Sequence, residues 1–346
     1  MPPSRILDSH IHLWPATACA ATNHGWMTPS HQLAKRHGIE DYVKVTGPRP
    51  EGGFVYVETD RYLASLEPEL KDGQGEEEEW RRKIAEWAKE PLEEVKFLRR
   101  IVEGKGEEGD GFADADVDGD EDGDGGLMKA CVVWAPFHLG PALFSTYLSI
   151  AEEVAGPRLW RRVVGLRYLL QGKAAGEVKA LDGVEPLEAV GEMMERVRMW
   201  EAKSQLPGNP VKFIINHLAK PPLSPTNPQP DERWRQALTA LSTDKDVYMK
   251  LSGAFNEFGT PTPSDVPALL TSLAPFLKHI SICFPKRVMF GSDWPVCNVG
   301  GPRGEEGNWG LWVEVVEAWM NLQAFSEEER EDVWWRAGCS GYGVKF

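Results

Sequence analysis

The chain has 346 residues and a formal charge of −15, from 53 acidic side chains against 38 Lys and Arg; this length suits one large α/β domain, and the lack of a basic stripe excludes a nucleic-acid binder. Five scattered cysteines (19, 131, 283, 297 and 339), with no C-x-x-C pair, exclude a disulfide framework and a zinc ribbon. No apolar run of 18 residues and no basic-then-apolar leader is apparent, so the expected setting is cytoplasmic, with no membrane partner.

The first predicted element is a strand over 5–12, "RILDSHIH". Side chains at i and i+2 leave one face of a strand, so His10 and His12 can converge on one metal ion, whereas a helix would point them apart. The competing reading is a pair of histidines on a surface strand. "GFVYVETD" (53–60) is the second strand, and Glu58 and Asp60 fall at its end. "EEWRRKIAEWAKE" and "PLEEVKFLRRIVEG" follow with apolar residues at helical spacing, Pro91 opening the second helix and Gly104 closing it.

Between Gly104 and Gly126 stand ten acidic residues and one Lys, so −9 of the charge is local and the rest of the chain carries −6. Such low-complexity acidity predicts a solvated loop inserted in the domain. A calcium loop is not expected: counting from Asp114 puts Gly125 where a bidentate Glu is required, and counting from Asp118 puts Lys129 there.

Five more strands are predicted: "KACVVWAPF" (129–137), with His138 just beyond; "VVGLRYLL" (163–170), carrying Arg167; "KFIINH" (212–217), ending in Asn216 and His217; "VYMKLSG" (247–253), with Lys250 and Ser252; and "RVMFGSD" (287–293), ending in Asp293. Runs apolar on both faces suit a buried parallel sheet. "EPLEAVGEMMERVRMWEAK" and "NWGLWVEVVEAWMNLQAF" read as further helices. Strand–helix alternation with polar residues at strand C-terminal ends points to a (β/α)8 TIM-like barrel, since closure brings the first and last strands side by side. One strand is missing from the count. The interval 171–211 is short and offers "VKALDG" (178–183) alone, so an abbreviated element is expected there.

Chemistry follows from residue type. A catalytic divalent ion takes three or four protein ligands and keeps a place for water. His10, His12 and Asp293 supply three, and Glu58 can reach the same ion or pair with Arg61 or Arg167. Asp293 can also accept a proton from water, or simply cap its loop. His217 is a ligand, a base, a donor to substrate or a structural histidine. Arg167 and Lys250 are cations in strands that otherwise read as buried, and so pair with carboxylates or hold substrate oxygens. Asn216 joins them as a substrate contact. Trp294 and Trp14 offer flat walls for a sugar face, or packing.

"DSHIH", "INHLAKP" and "FGSDWP", in this order, resemble the amidohydrolase superfamily in its amidohydrolase-2 branch. "GFVYVETDR", "GLRYLLQG", "KLSGAF" and "RVMFGSDWPVCNV" are most similar to the sugar-acid lactonases of the L-rhamnono-γ-lactonase and L-fuconolactonase type. The acidic insertion and the compressed 171–211 interval depart from the pattern. The resemblance implies a single barrel over 1–346 and hydrolysis of a deoxy-aldonolactone such as L-rhamnono-1,4-lactone. It implies one divalent metal ion, zinc or similar, that activates water. The expected partner is the small lactone, with a homo-oligomer open. The competing expectations are a metal-dependent decarboxylase of an aromatic or muconate-type acid, and an inactive barrel serving as a binding or scaffold protein.

Overall fold

The computed structural model describes residues 5–47, 50–69, 77–112, 126–170, 186–204, 208–259 and 261–345. Each of the seven apolar runs forms a strand: β1 Asp8–Ile11, β2 Phe54–Val57, β3 Met128–Trp134, β4 Val163–Arg167, β5 Phe213–Ile215, β6 Val247–Leu251 and β7 Val288–Phe290. β2, β5 and β7 stop short of Glu58, Asn216, His217 and Asp293, which therefore sit in the following loops, whereas His10, Arg167 and Lys250 lie within β1, β4 and β6. The candidate eighth strand, 178–183, lies outside the described residues.

The four expected helices are α2 Glu77–Trp87, α3 Lys89–Glu103, α5 Pro186–Ser204 and α9 Asn308–Leu322. α1 Ile39–Thr46 precedes them, and α4 Pro141–Trp160, α6 Glu232–Leu241, α7 Val266–Cys283 and the short α8 Cys297–Gly300 come between. Pro91 lies in the first turn of α3, where a missing N–H leaves no bond unmade. Gly104 ends that helix in the left-handed region (φ 66°, ψ 29°), a conformation open to glycine without steric cost.

Chain contacts divide the described residues into two compact units. One comprises Met1–Ile11, Lys44–Phe54 and Ala180–Phe346. Its strands β5, β6 and β7 pair in parallel in that order, with Phe213 opposite Val247 and Leu251 opposite Phe290. β1 runs beside β7: Ile11 bridges Trp294 in parallel, and the Asp293 N–H donates to the His10 carbonyl at 2.8 Å. Parallel order brings every C-terminal strand end in this layer to one edge, the edge on which ligands collect in α/β folds. α9 closes over it. Trp309 and Trp312, three residues apart and hence on one helical face, are both buried. The Trp312 indole donates to the carbonyls of Leu251 and Gly291 at 3.2 and 3.0 Å, capping the ends of β6 and β7. α7 is long and apolar enough to cross a membrane by length and composition, and buries Leu269, Leu273, Phe276, Leu277 and Ile280 within the protein.

The second unit comprises His12–Val43 and Val55–Lys179. β3 and β4 pair in parallel, with Trp134 opposite Arg167, and β2 lies beside β3, the Glu58 N–H donating to the Val132 carbonyl at 2.9 Å. Ile84, Ala88, Leu92, Trp134, Tyr147, Ile150 and Ala151 form a core between α2, α3, α4 and the sheet. The expectation of a solvated loop throughout 104–126 does not hold for its first part. Asp110 is 2 % exposed, and both its oxygens accept from the Arg100 guanidinium at 2.7 Å. The Gly109 carbonyl accepts from Ala16 N–H and that of Gly111 from Glu40 N–H, each at 2.9 Å. A bidentate arginine turns one acidic residue from a solvated charge into a tether, which average composition does not register. Residues 113–125 lie outside the described set.

Candidate active site

The site begins with how the backbone is held. Asp8, fully buried in β1, accepts from the Ser292 N–H at 2.8 Å through one oxygen and from the Trp309 indole at 3.0 Å through the other, so it ties β1 to the loop after β7 and to α9. That loop carries Asp293 in the left-handed region at φ 61°, its carbonyl accepting from the Cys297 N–H at 2.8 Å. The turn after β5 runs through His217, Leu218, Ala219 and Lys220, all between φ 50° and 58°. Left-handed backbone costs non-glycine residues roughly 1–2 kcal/mol each, so two of the three candidate side chains project from strained positions held by their surroundings.

These turns bring His10, His217 and Asp293 together, all buried, with one potential ligand atom from each within 4.8 Å of the others. Oδ1 of Asp293 lies 3.5 Å from Nε2 of His10 and 3.9 Å from Nε2 of His217. The two imidazole centroids are 4.7 Å apart, tilted by 51°. The other nitrogen of each ring is engaged: Nδ1 of His217 meets the Ser252 hydroxyl at 2.9 Å, and Nδ1 of His10 meets Lys250 Nζ at 3.1 Å. Gly253 sits against the cluster at φ 62°, and a Cβ there would fall 2.5 Å from Nδ1 of His217 and 3.1 Å from Oδ2 of Asp293. Only glycine leaves room for the imidazole at this point.

The donor set is chemically suited to a divalent cation. It offers two imidazole nitrogens and a carboxylate, all buried, and the Ser252 hydroxyl behind His217 can accept from Nδ1, the arrangement that orients a ligating histidine. His12 and Glu58, also expected as ligands, lie in the second unit. Nδ1 of His12 donates to the Val57 carbonyl at 2.8 Å, both in the second unit. Glu58 takes the ion-pair alternative, with Arg167 Nη1 lying 2.8 Å from both its Oε1 and its backbone carbonyl. Burial pushes the Glu58 carboxyl up to about 7, with the neighbouring Glu94 adding to the effect of burial and Arg167 opposing it. Glu94 itself accepts from the Tyr56 hydroxyl at 2.7 Å and the Thr59 N–H at 2.9 Å. His24, which has no assigned role, is held neutral by burial, its pKa lowered to about 2.

The other expected contacts are placed as follows. Lys250 is 1 % exposed, and its ammonium also lies 5.0 Å above the Tyr342 ring. Asn216 is half-buried and opens the His217 turn, its carbonyl accepting from Ala219 N–H at 3.0 Å. Trp294 is buried and joined to Pro295 by a cis peptide. The residues that sequence reasoning passed over are Asp8 and Gly253. Asp8 stands two positions before His10 in "DSHIH", on the same face of the strand by the i, i+2 rule, and that spacing was the available signal.

The family model described as Amidohydrolase matches residues 195–336, the stretch that supplies His217, Lys250 and Asp293. Over that stretch the chain is similar to this family. It is 25% identical to an L-rhamnono-gamma-lactonase from Scheffersomyces stipitis over 364 residues, 98% of this chain and 99% of that one. An L-fucono-1,5-lactonase from Burkholderia ambifaria is 33% identical over 105 residues, 30% of this chain and 33% of its own. A Burkholderia multivorans amidohydrolase crystallised with bound zinc shares the fold, with a TM-score of 0.58 and 20% identity over 99% of this chain and 100% of that one. The amidohydrolase neighbours are TIM barrels, and this chain shares their α/β class with parallel strands, as the strand–helix alternation indicated.

Proposed function

We propose that this chain hydrolyses the ring ester of a sugar-acid lactone, with His10, His217 and Asp293 as its reacting centre. The observation that carries the reading is the Asp293 carboxylate, buried and shared between the Nε2 atoms of two histidines at 3.5 and 3.9 Å. Near full-length similarity to a protein named as a lactonase supports the substrate class.

The three residues would together hold one divalent cation, which supplies polarisation of the ester carbonyl and a more acidic water when bound. The protein's own groups account for the proton traffic. Asp293, acceptor-only when ionised, takes the proton of the attacking water. As the tetrahedral intermediate collapses, the C–O ring bond breaks, and the alkoxide leaving group takes a proton from Asp293 or from Nε2 of His217. Ser252 keeps that ring oriented through Nδ1. The product is an open-chain hydroxy acid. The finer expectation is a deoxy-aldonolactone such as L-rhamnono-1,4-lactone. Acid release from a panel of aldonolactones, followed with a pH indicator, tests it. At least one deoxy-aldonolactone should be turned over by the wild type and not by Asp293→Asn. Silence across the panel, or carbon dioxide release from an aromatic acid in its place, refutes the reading.

A further inference from the structure

Lys250 was expected to pair with a carboxylate or hold substrate oxygens; the structure also sets its ammonium against a histidine. It is the fourth of the five residues of β6, opposite Met289 of β7, almost fully buried among strand residues that are apolar, and a buried ammonium is costly without acceptors. Nζ lies 3.1 Å from Nδ1 of His10. An ammonium has three donors and no acceptor, so the bond runs from Lys250 to Nδ1. A neutral imidazole that accepts at one nitrogen carries its hydrogen on the other. For His10 that is Nε2, the atom 3.5 Å from Asp293 Oδ1. His217 is held differently: its Nδ1 partner is the Ser252 hydroxyl, which can donate or accept. The two histidines of the cluster are therefore not equivalent.

We propose that Lys250 is a positioning residue that fixes His10 as the Nε2–H tautomer aimed at Asp293, and that it thereby sets the cluster against tight cation binding. A cation seated on Nε2 of His10 must compete with that N–H and bear a like charge behind the same ring. His217 and Asp293 impose no such opposition. The proposal deepens the lactonase reading in its kinetic consequence, but its physical content does not need turnover.

The test uses the full chain with 15N-labelled histidine, the His10 signals assigned by their loss in His10→Gln. In the wild type, long-range 1H–15N correlation should show Nδ1 of His10 without a hydrogen and Nε2 with one. Lys250→Met, close in length and without charge, should shift these signals toward a tautomer mixture. Calorimetric titration with zinc should show at least tenfold tighter binding by Lys250→Met than by the wild type. A hydrogen on Nδ1 of wild-type His10, or equal or weaker zinc binding by the variant, overturns the proposal. The wild-type spectrum decides the tautomer even if the variant does not fold. If no lactone is hydrolysed while the nitrogen shifts and zinc affinities come out as expected, the functional reading fails and the role of Lys250 stands.

Discussion

Glu58→Gln isolates a buried carboxyl whose protonation should govern stability across the neutral range. Glu58 is fully buried at the end of β2, and burial raises its pKa from 4.5 to about 7 despite an Arg167 nitrogen at 2.8 Å. The folded protein then holds this proton more tightly than the unfolded chain. The group's contribution to stability is fully present below its unfolded value of 4.5 and is lost as pH rises through about 7. At about 1.4 kcal/mol per pKa unit, the contribution lost between roughly pH 5 and pH 8 is about 2–3 kcal/mol. Glutamine keeps the volume and an oxygen for the Asp60 N–H, which Glu58 now accepts at 2.7 Å, but has nothing to titrate. Denaturant unfolding of wild type and variant at both pH values measures the effect. The difference between the two proteins should change by about 2–3 kcal/mol from one pH to the other. Parallel curves would refute the reasoning and show that Arg167 keeps Glu58 ionised in spite of its burial.

Asp293→Asn should bind lactone with little change in KM while kcat falls by about two to four powers of ten, the usual effect of removing a positioned acid–base group, as read from initial rates. His10→Ala should lower zinc content measured by emission spectrometry, because it removes one of the three gathered donor atoms. Asp110→Ala should destabilise the chain by about 3–5 kcal/mol in denaturant titration by leaving part-buried Arg100 without its bidentate partner. Deletion of residues 113–125, which leaves Asp110 in place, should cost less than about 1 kcal/mol on the same scale.

How much of this was legible in the sequence depends on the range over which each feature is decided. Strands are set locally: runs such as "VYMKLSG" and "RVMFGSD" are apolar on both faces, and β6 and β7 lie within them. Gly104 ended its helix as expected for the same reason, since a left-handed cap is a property of a few residues. The acidic stretch after it was misjudged at Asp110, because the decisive partner, Arg100, belongs to a helix, and composition treats all ten acids alike.

The site divides along the same line. H-x-H spacing put His10 and His12 on one strand with a common metal in view, yet what a histidine does depends on what its second nitrogen meets, and those partners are distant in sequence. For His10 the partner is Lys250, 240 residues away; for His12 it is the Val57 carbonyl, 45 residues away. Asp293 and His217 were legible because each closes a run that carries a strand, and parallel strands deliver their ends to one edge whatever lies between. Glu58 directly follows a strand too, and there the rule meets its limit. A strand end places a side chain at the edge, but the nearest opposite charge decides its occupation, and Arg167 at 2.8 Å is an ion-pair partner that strand periodicity does not reveal. Position along a strand can therefore nominate a functional carboxylate, while its role follows from the cations and donors that the fold sets against it.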